Sequence, residues 1–186
     1  SGGSVYLSME VSRKIGREDV LSGRFARASW LRRQGQVLGR HKLRLVPGDW
    51  RARALDTLTT TRPTWNLNNA STWKESIFEV NGMEAEMQYG GADRALGSRL
   101  ENLGLRGKRI RFRAVLVHLD HARPYKTRDS IVRNKGIRGR NVRNREIRAR
   151  DGLRELAARR GEAGILEFSP GSPSGGEPGW ERVFVG

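Results

Sequence analysis

Along the chain, apolar positions alternate with polar ones in some stretches and recur with helical period in others. Val5–Val11 (VYLSMEV) alternates and predicts a strand. In Arg17–Gln34, Leu21, Phe25, Ala28 and Leu31 share one face, while Arg24, Arg27, Arg32 and Arg33 lie off it. That spacing predicts a helix ending at Gly35. Val37–Val46 predicts a second strand, closed by the Pro47-Gly48-Asp49 turn. Arg51–Thr60 follows no single period, and Thr61–Thr72, with Pro63 and three Asn, reads as a loop. Glu75–Val80 and Met83–Tyr89 flank Asn81-Gly82, a pair suited to the two positive-φ positions of a type I′ turn, and predict a β-hairpin. Asp93–Leu103 predicts a helix with Leu96, Leu100 and Leu103 on one face and Gly104 just beyond. Lys108–Leu119 predicts a long strand that enters the core from Val115. Asp120–Gly139 has no clean period. Asn141–Arg160 predicts a weakly amphipathic helix through Val142, Ala149, Leu153 and Leu156. Ile165–Phe168 and Trp180–Val185 predict two short strands around the Gly/Ser/Pro-rich Ser169–Gly179.

This order predicts an α+β fold. Strand, helix, two strands, helix, strand is the order of a ferredoxin-like or RRM-like antiparallel sheet with helices on one face. It fits residues 5–119, with Thr57–Thr72 as an insertion. Residues 120–186 then add an Arg-rich helix and a C-terminal β-hairpin with a glycine-rich loop. Ser1–Ser4 (SGGS) reads as a cloning remnant ahead of this domain.

Charge changes the picture most. The chain of 186 residues carries 36 basic and 20 acidic side chains, a formal net charge of +16. Thirty of the bases are Arg, a bias that a GC-rich genome or a ligand can produce. Guanidinium groups bind phosphate bidentately and stack on bases, so nucleic acid is the leading partner class. Arg123–Arg160 holds 14 basic and 4 acidic residues, whereas Glu75–Tyr89 holds four Glu and no base. So polarised a field favours a binding face over diffuse basicity. No apolar run approaches a membrane span, and the partners expected exclude a membrane. The absence of cysteine removes disulfides, thiolate metal sites and cysteine nucleophiles. A cytoplasmic location is the default.

The principal RNA-binding candidates are Arg133, Arg138, Arg140, Arg143, Arg145, Arg148 and Arg150, with Lys135 among them. They are too dense for one helix face, and their repulsion favours ordering by phosphates. Arg109, Arg111 and Arg113 fall on one side of the predicted strand, about 7 Å apart, either as a phosphate ladder or paired to the acidic hairpin. Arg24 and Arg27 on the first helix are secondary contacts. Trp50, Trp65 and Trp73 lie in or beside loops where a ring can stack on a base, while Trp30 and Trp180 suit a core. Tyr89 is the one aromatic of Met83–Tyr89, so an RRM-type stacking sheet is not expected.

His41, His118 and His121 are the catalytic candidates, since metal-free RNA cleavage needs a base near a 2′-hydroxyl and a cation beside the developing charge. Tyr6 and Tyr125 are further possible bases. His118, Asp120 and His121 suit a metal only in a turn, and no metal or other cofactor is expected. Phosphate loops, dinucleotide fingerprints, nucleophile elbows and dense carboxylate clusters are missing from the sequence.

Val5–Val11, Arg138–Arg160 and Gly171–Gly186 together resemble, in architecture, the Cas6-type CRISPR repeat-processing endoribonucleases. The resemblance implies an Arg-rich helix on a repeat stem-loop and metal-independent cleavage at its foot. The glycine loop follows that family's pattern loosely. The family's His near the first helix has His41 as its nearest counterpart.

The residues therefore predict a protein that binds structured RNA, such as a stem-loop, through an Arg-rich helix, as a subunit of a ribonucleoprotein with other proteins. The alternatives are a metal-independent, Cas6-like endoribonuclease acting on CRISPR repeat RNA, and a ribosome-associated or viral nucleic-acid-packaging protein.

Overall fold

The structure is a computed structural model that describes residues 1–45, 48–123, 126–161 and 182–184; of 42 and 182–184 it describes the backbone. Helix and strand are mixed, as the α+β expectation requires, and helix predominates. The chain divides into two compact units, Ser1–Ala70 with Gly107–Pro124, and Ser71–Arg106 with Tyr125–Val185.

In the first unit, β1 (Gly2–Tyr6) runs parallel to β3 (Ile110–His118), pairing Gly3 with Val115 and Tyr6 with His118. The residues expected to be a cloning remnant are thus built into this pair. A Cβ on Gly3 would lie 2.2 Å from the Arg111 carbonyl oxygen, so only glycine permits the approach. The expected strand Val5–Val11 is cut short because Ser8 caps a helix, its Oγ accepting from the Val11 N–H at 3.3 Å. That helix, α1 (Met9–Lys14), precedes α2 (Arg17–Leu21) and α3 (Ala28–Arg33). The single expected helix Arg17–Gln34 is broken at Gly23, whose φ is 67° and which leads into a 3₁₀ turn at Arg24–Ala26. The expected strand Val37–Val46 is instead a 3₁₀ segment over Gly39–Leu45. Val5, Leu7, Val11, Leu31 and Leu38 form the core, with Trp30, Val115 and Val117 packed on it. The ambiguous stretch becomes α4 (Asp49–Leu58), which lies against β3.

In the second unit, β2 (Ser71–Trp73) pairs antiparallel with β4 (Arg182–Phe184). The expected β-hairpin at Glu75–Tyr89 is not formed. Lys74–Glu79 is helix α5, with Ser76 and Val80 buried at helical spacing. Asn81 and Gly82 do take positive φ, 59° and 67°, but they end that helix: Gly82 N–H donates to Ile77 O at 2.8 Å and Asn81 N–H to Phe78 O at 3.0 Å. This is the Schellman pattern, which calls for a left-handed residue at Asn81, as a type I′ hairpin turn also would. Among the described residues the strands form two separate pairs, not a four-stranded antiparallel sheet. Helix α6 (Ala92–Asn102) follows, stopped at Gly104 as expected. The unpatterned Asp120–Gly139 and the start of the expected Asn141–Arg160 helix combine as α7 (Arg128–Arg143), and α8 (Leu153–Arg160) is separate. Ile165–Phe168, the Ser169–Gly179 loop and Trp180 lie outside the described residues.

Candidate nucleic-acid interface

Helix α7 buries polar side chains. Ser130, Asn134, Ile137 and Asn141 recur at helical spacing on its inward face. Asn134 Nδ2 donates to the carbonyls of Gln88, Tyr89 and Gly90 at 3.0–3.1 Å. With its amide oriented by its partners, Asn141 donates to Glu146 Oε2 at 2.8 Å and accepts from Arg99 Nη1 at 2.9 Å. Arg99 on α6 is fully buried and donates from Nη2 to Gly82 O at 2.8 Å. Its Nη1 lies 3.5 Å from Glu84 Oε2. Glu84 Oε1 accepts the backbone N–H groups of Arg150 and Asp151, each at 3.0 Å. Asn81 completes the network, donating to Glu155 Oε2 at 2.7 Å and to Ala149 O at 3.0 Å. The bond from Asn81 and the Gly152 N–H hold the Glu155 carboxyl below its ordinary pKa. These contacts anchor the irregular segment between α7 and α8.

That anchoring leaves the cations of the segment outward. Arg133, Lys135, Arg138, Arg143, Arg145 and Arg148 are exposed, and among the described residues none has a carboxylate within ion-pair distance. Arg140 and Arg150 differ, because both reach Glu146 Oε1, at 3.6 and 2.6 Å. Glu146 sits below its ordinary pKa: burial alone would raise it, and the Arg150 hydrogen bond and Arg140 more than offset this. Asp151 is bound by Arg159 at 2.7 Å. The carboxylates of 146–155 are therefore engaged within the unit. Arg145 holds a left-handed backbone, φ 50°, where α7 ends: Glu146 N–H donates to Asn141 O at 3.0 Å and Arg145 N–H to Val142 O at 3.4 Å. This is a position that glycine usually fills.

The other predicted cations, in the first unit, are less free. Arg113 Nε donates to Asp56 Oδ2 at 2.9 Å, and Asp56 Oδ1 accepts the Phe112 N–H at 3.1 Å. Arg109 donates to Thr59 O, and Arg111 is half-buried. Two rungs of the expected ladder are thus tied to α4 and the residue that caps it, rather than to the Glu75–Tyr89 segment. Glu84, counted within that acidic segment, is itself buried against Arg99. Arg24 pairs with Asp19, whereas Arg27, Arg32 and Arg33 are exposed.

The end of β3 gathers a second group. The rings of Tyr6 and His118 lie 5.2 Å apart, and those of His118 and His121 lie 5.7 Å apart. Arg123 bridges Asp120 Oδ1 and His118 Nε2, each at 3.0 Å. A guanidinium only donates, so His118 Nε2 accepts and its proton resides on Nδ1. Burial, Arg123 and His121 push the His118 pKa below the ordinary imidazole value, leaving it neutral at pH 7. His121 Nδ1 lies 3.0 Å from Ala122 O, an acceptor, so its proton is there and its Nε2 lone pair is the open one. His41 is elsewhere, beside Arg44 at 3.2 Å. Among the described residues no three His, Cys, Asp or Glu side chains group as metal ligands. Tyr125 lies outside the described residues.

Sequence reasoning missed Arg99, Glu84, Asn134, Asn141 and Asp56. One signal was available: Asn134 and Asn141, like Ser130, fall at helical spacing within an otherwise basic stretch. No protein-family model, curated protein or solved structure matches the chain. Among the described residues no helix is long and apolar enough to cross a membrane.

Proposed function

We propose that the second unit binds structured RNA through α7 and the segment joining it to α8, as one subunit of a ribonucleoprotein particle. The observation that carries this reading is the set of six exposed cations, Arg133, Lys135, Arg138, Arg143, Arg145 and Arg148, without acidic partners among the described residues. Their mutual repulsion opposes folding and is relieved by phosphates. A buried polar network beneath them holds the backbone, so the cations need no ligand to be in place. Affinity should fall steeply with salt, by about 0.7–0.9 in log–log slope for each phosphate contact. Replacing Arg143, Arg145 and Arg148 by Ala should flatten the slope by roughly 2 on that rule. Replacing Arg140 and Arg150, already bound to Glu146, should flatten it less. A slope indifferent to the triple replacement would remove α7 and its following segment from the interface.

A second reading, metal-independent cleavage of RNA, is favoured by the grouping of His118, His121 and Arg123. In that reading His121 Nε2 takes the proton of a 2′-hydroxyl, whose oxygen attacks phosphorus as the bond to the 5′-oxygen breaks. The leaving 5′-oxygen takes a proton from water, and Arg123 faces the phosphoryl charge. It requires cleavage in EDTA and a 2′,3′-cyclic phosphate on the upstream fragment. Stable RNA under those conditions, or cleavage unaffected by His121→Gln, discards it.

A further inference from the structure

Trp50 stands in the first turn of α4 with 71% of its surface exposed. The helix is fastened by its opposite side, where Ala52 and Asp56 are buried and Asp56 bonds the Phe112 N–H and Arg113. Nothing in that attachment requires an indole at position 50. The ring has a cation against it: Arg51 Cζ lies 5.2 Å from the ring centroid. The neighbouring Arg53 is taken by Asp49 at 2.8 Å, so Arg51 is the first turn's open cation. An exposed indole with a guanidinium over one face offers its other face for stacking, and it holds a positive charge where a phosphate would lie. An apolar partner would need a broader surface, whereas along this line α4 adds only Ala54 and the exposed Leu58.

We propose that Trp50 and Arg51 form a stacking site for an unpaired nucleobase, with Arg51 also contacting the adjoining phosphate. The ligand class is single-stranded nucleic acid, and the proposal rests on the RNA-binding reading without using the cations of α7. Base–aromatic stacking contributes about 1–3 kcal/mol per base, roughly a 5- to 150-fold change in affinity.

The test compares wild type, Trp50→Ala and Trp50→Phe against unstructured 12-mers of oligouridylate and oligoadenylate, and against inorganic polyphosphate of matched charge. Tryptophan fluorescence and labelled-oligomer polarisation are the readouts, and circular dichroism verifies folding. Oligonucleotides should quench the fluorescence and polyphosphate should not. Trp50→Ala should weaken oligonucleotide binding at least 5-fold, leave polyphosphate binding unchanged, and be largely rescued by Phe. Equal oligonucleotide affinity for wild type and Trp50→Ala overturns the stacking site, as it would if Trp50 met a protein instead. If a stem-loop RNA still binds, the RNA reading survives that result; if no RNA binds, both fall.

Discussion

Arg99 is the side chain whose replacement most sharply tests the account of the second unit. It is fully buried and serves three partners: Gly82 O at 2.8 Å, Asn141 Oδ1 at 2.9 Å and Glu84 Oε2 at 3.5 Å. Arg99→Met keeps an unbranched, flexible side chain over the first part of arginine's reach and removes every donor. Glu84 then remains a buried carboxylate held only by the Arg150 and Asp151 N–H groups. Breaking a buried pair from one side costs about 3–5 kcal/mol, a large share of the roughly 5–15 kcal/mol of a whole domain. For a unit of this size each kcal/mol is worth about 4–8 °C, so the midpoint should fall by more than about 10 °C. Adding Glu84→Gln should recover part of the loss. The amide oxygen can still accept both N–H groups, and the stranded charge is gone. Thermal unfolding by circular dichroism measures the loss, and amide exchange at Arg150 and Asp151 localises it, with Leu116 and Val117 as the reference in the other unit. A cost below about 1 kcal/mol, or no recovery in the double variant, would refute the reasoning.

Three further outcomes are expected. Arg145→Gly should raise stability by roughly 0.5–1 kcal/mol, because a left-handed residue no longer carries a Cβ, while it lowers RNA affinity; urea unfolding and binding titrations check the two signs. Gly136 lies inside α7 with open space where a Cβ would be, so Gly136→Ala should stabilise the unit by about 0.5–1 kcal/mol in the same assay. His118 is held below its ordinary pKa, so as pH falls the unfolded chain binds the proton first. Its contribution is therefore complete above about pH 6.5 and is lost as pH falls below that value. A proton-NMR midpoint for His118 below that of a model imidazole checks this, and one above it contradicts the assignment.

Features decided within a few residues were legible in the sequence. Gly104 ends α6 because a left-handed residue there closes the final turn, and Gly35 ends α3 in the same way. The long strand at Lys108–Leu119 and the core position of Trp30 were equally plain. What failed depended on contacts distant in sequence. Asn81-Gly82 announces left-handed backbone, but a hairpin turn and a helix stop both draw on it, and the buried Ser76 and Val80 decide between them. Helix α7 was invisible to hydropathy because Ile137 is the one apolar member of its inward face; Ser130, Asn134 and Asn141 are polar, with Ser130 Oγ and Asn134 Nδ2 donating to carbonyls and Asn141 bonded to Arg99 and Glu146. The density of Arg pointed to the segment, but not to the individual members. Only the structure separates Arg140 and Arg150, bound to Glu146, from Arg143, Arg145 and Arg148. Likewise, Asp56 removes Arg113 from the ladder on β3 through a contact 57 residues away.

The most direct test of the central claim is to purify the protein without nuclease treatment, at moderate salt, and to extract and sequence whatever nucleic acid accompanies it. The account predicts co-purifying RNA enriched in stem-forming sequences and lost when Arg143, Arg145 and Arg148 are replaced by Ala. Protein free of nucleic acid, or the same RNA retained by the triple variant, would contradict it.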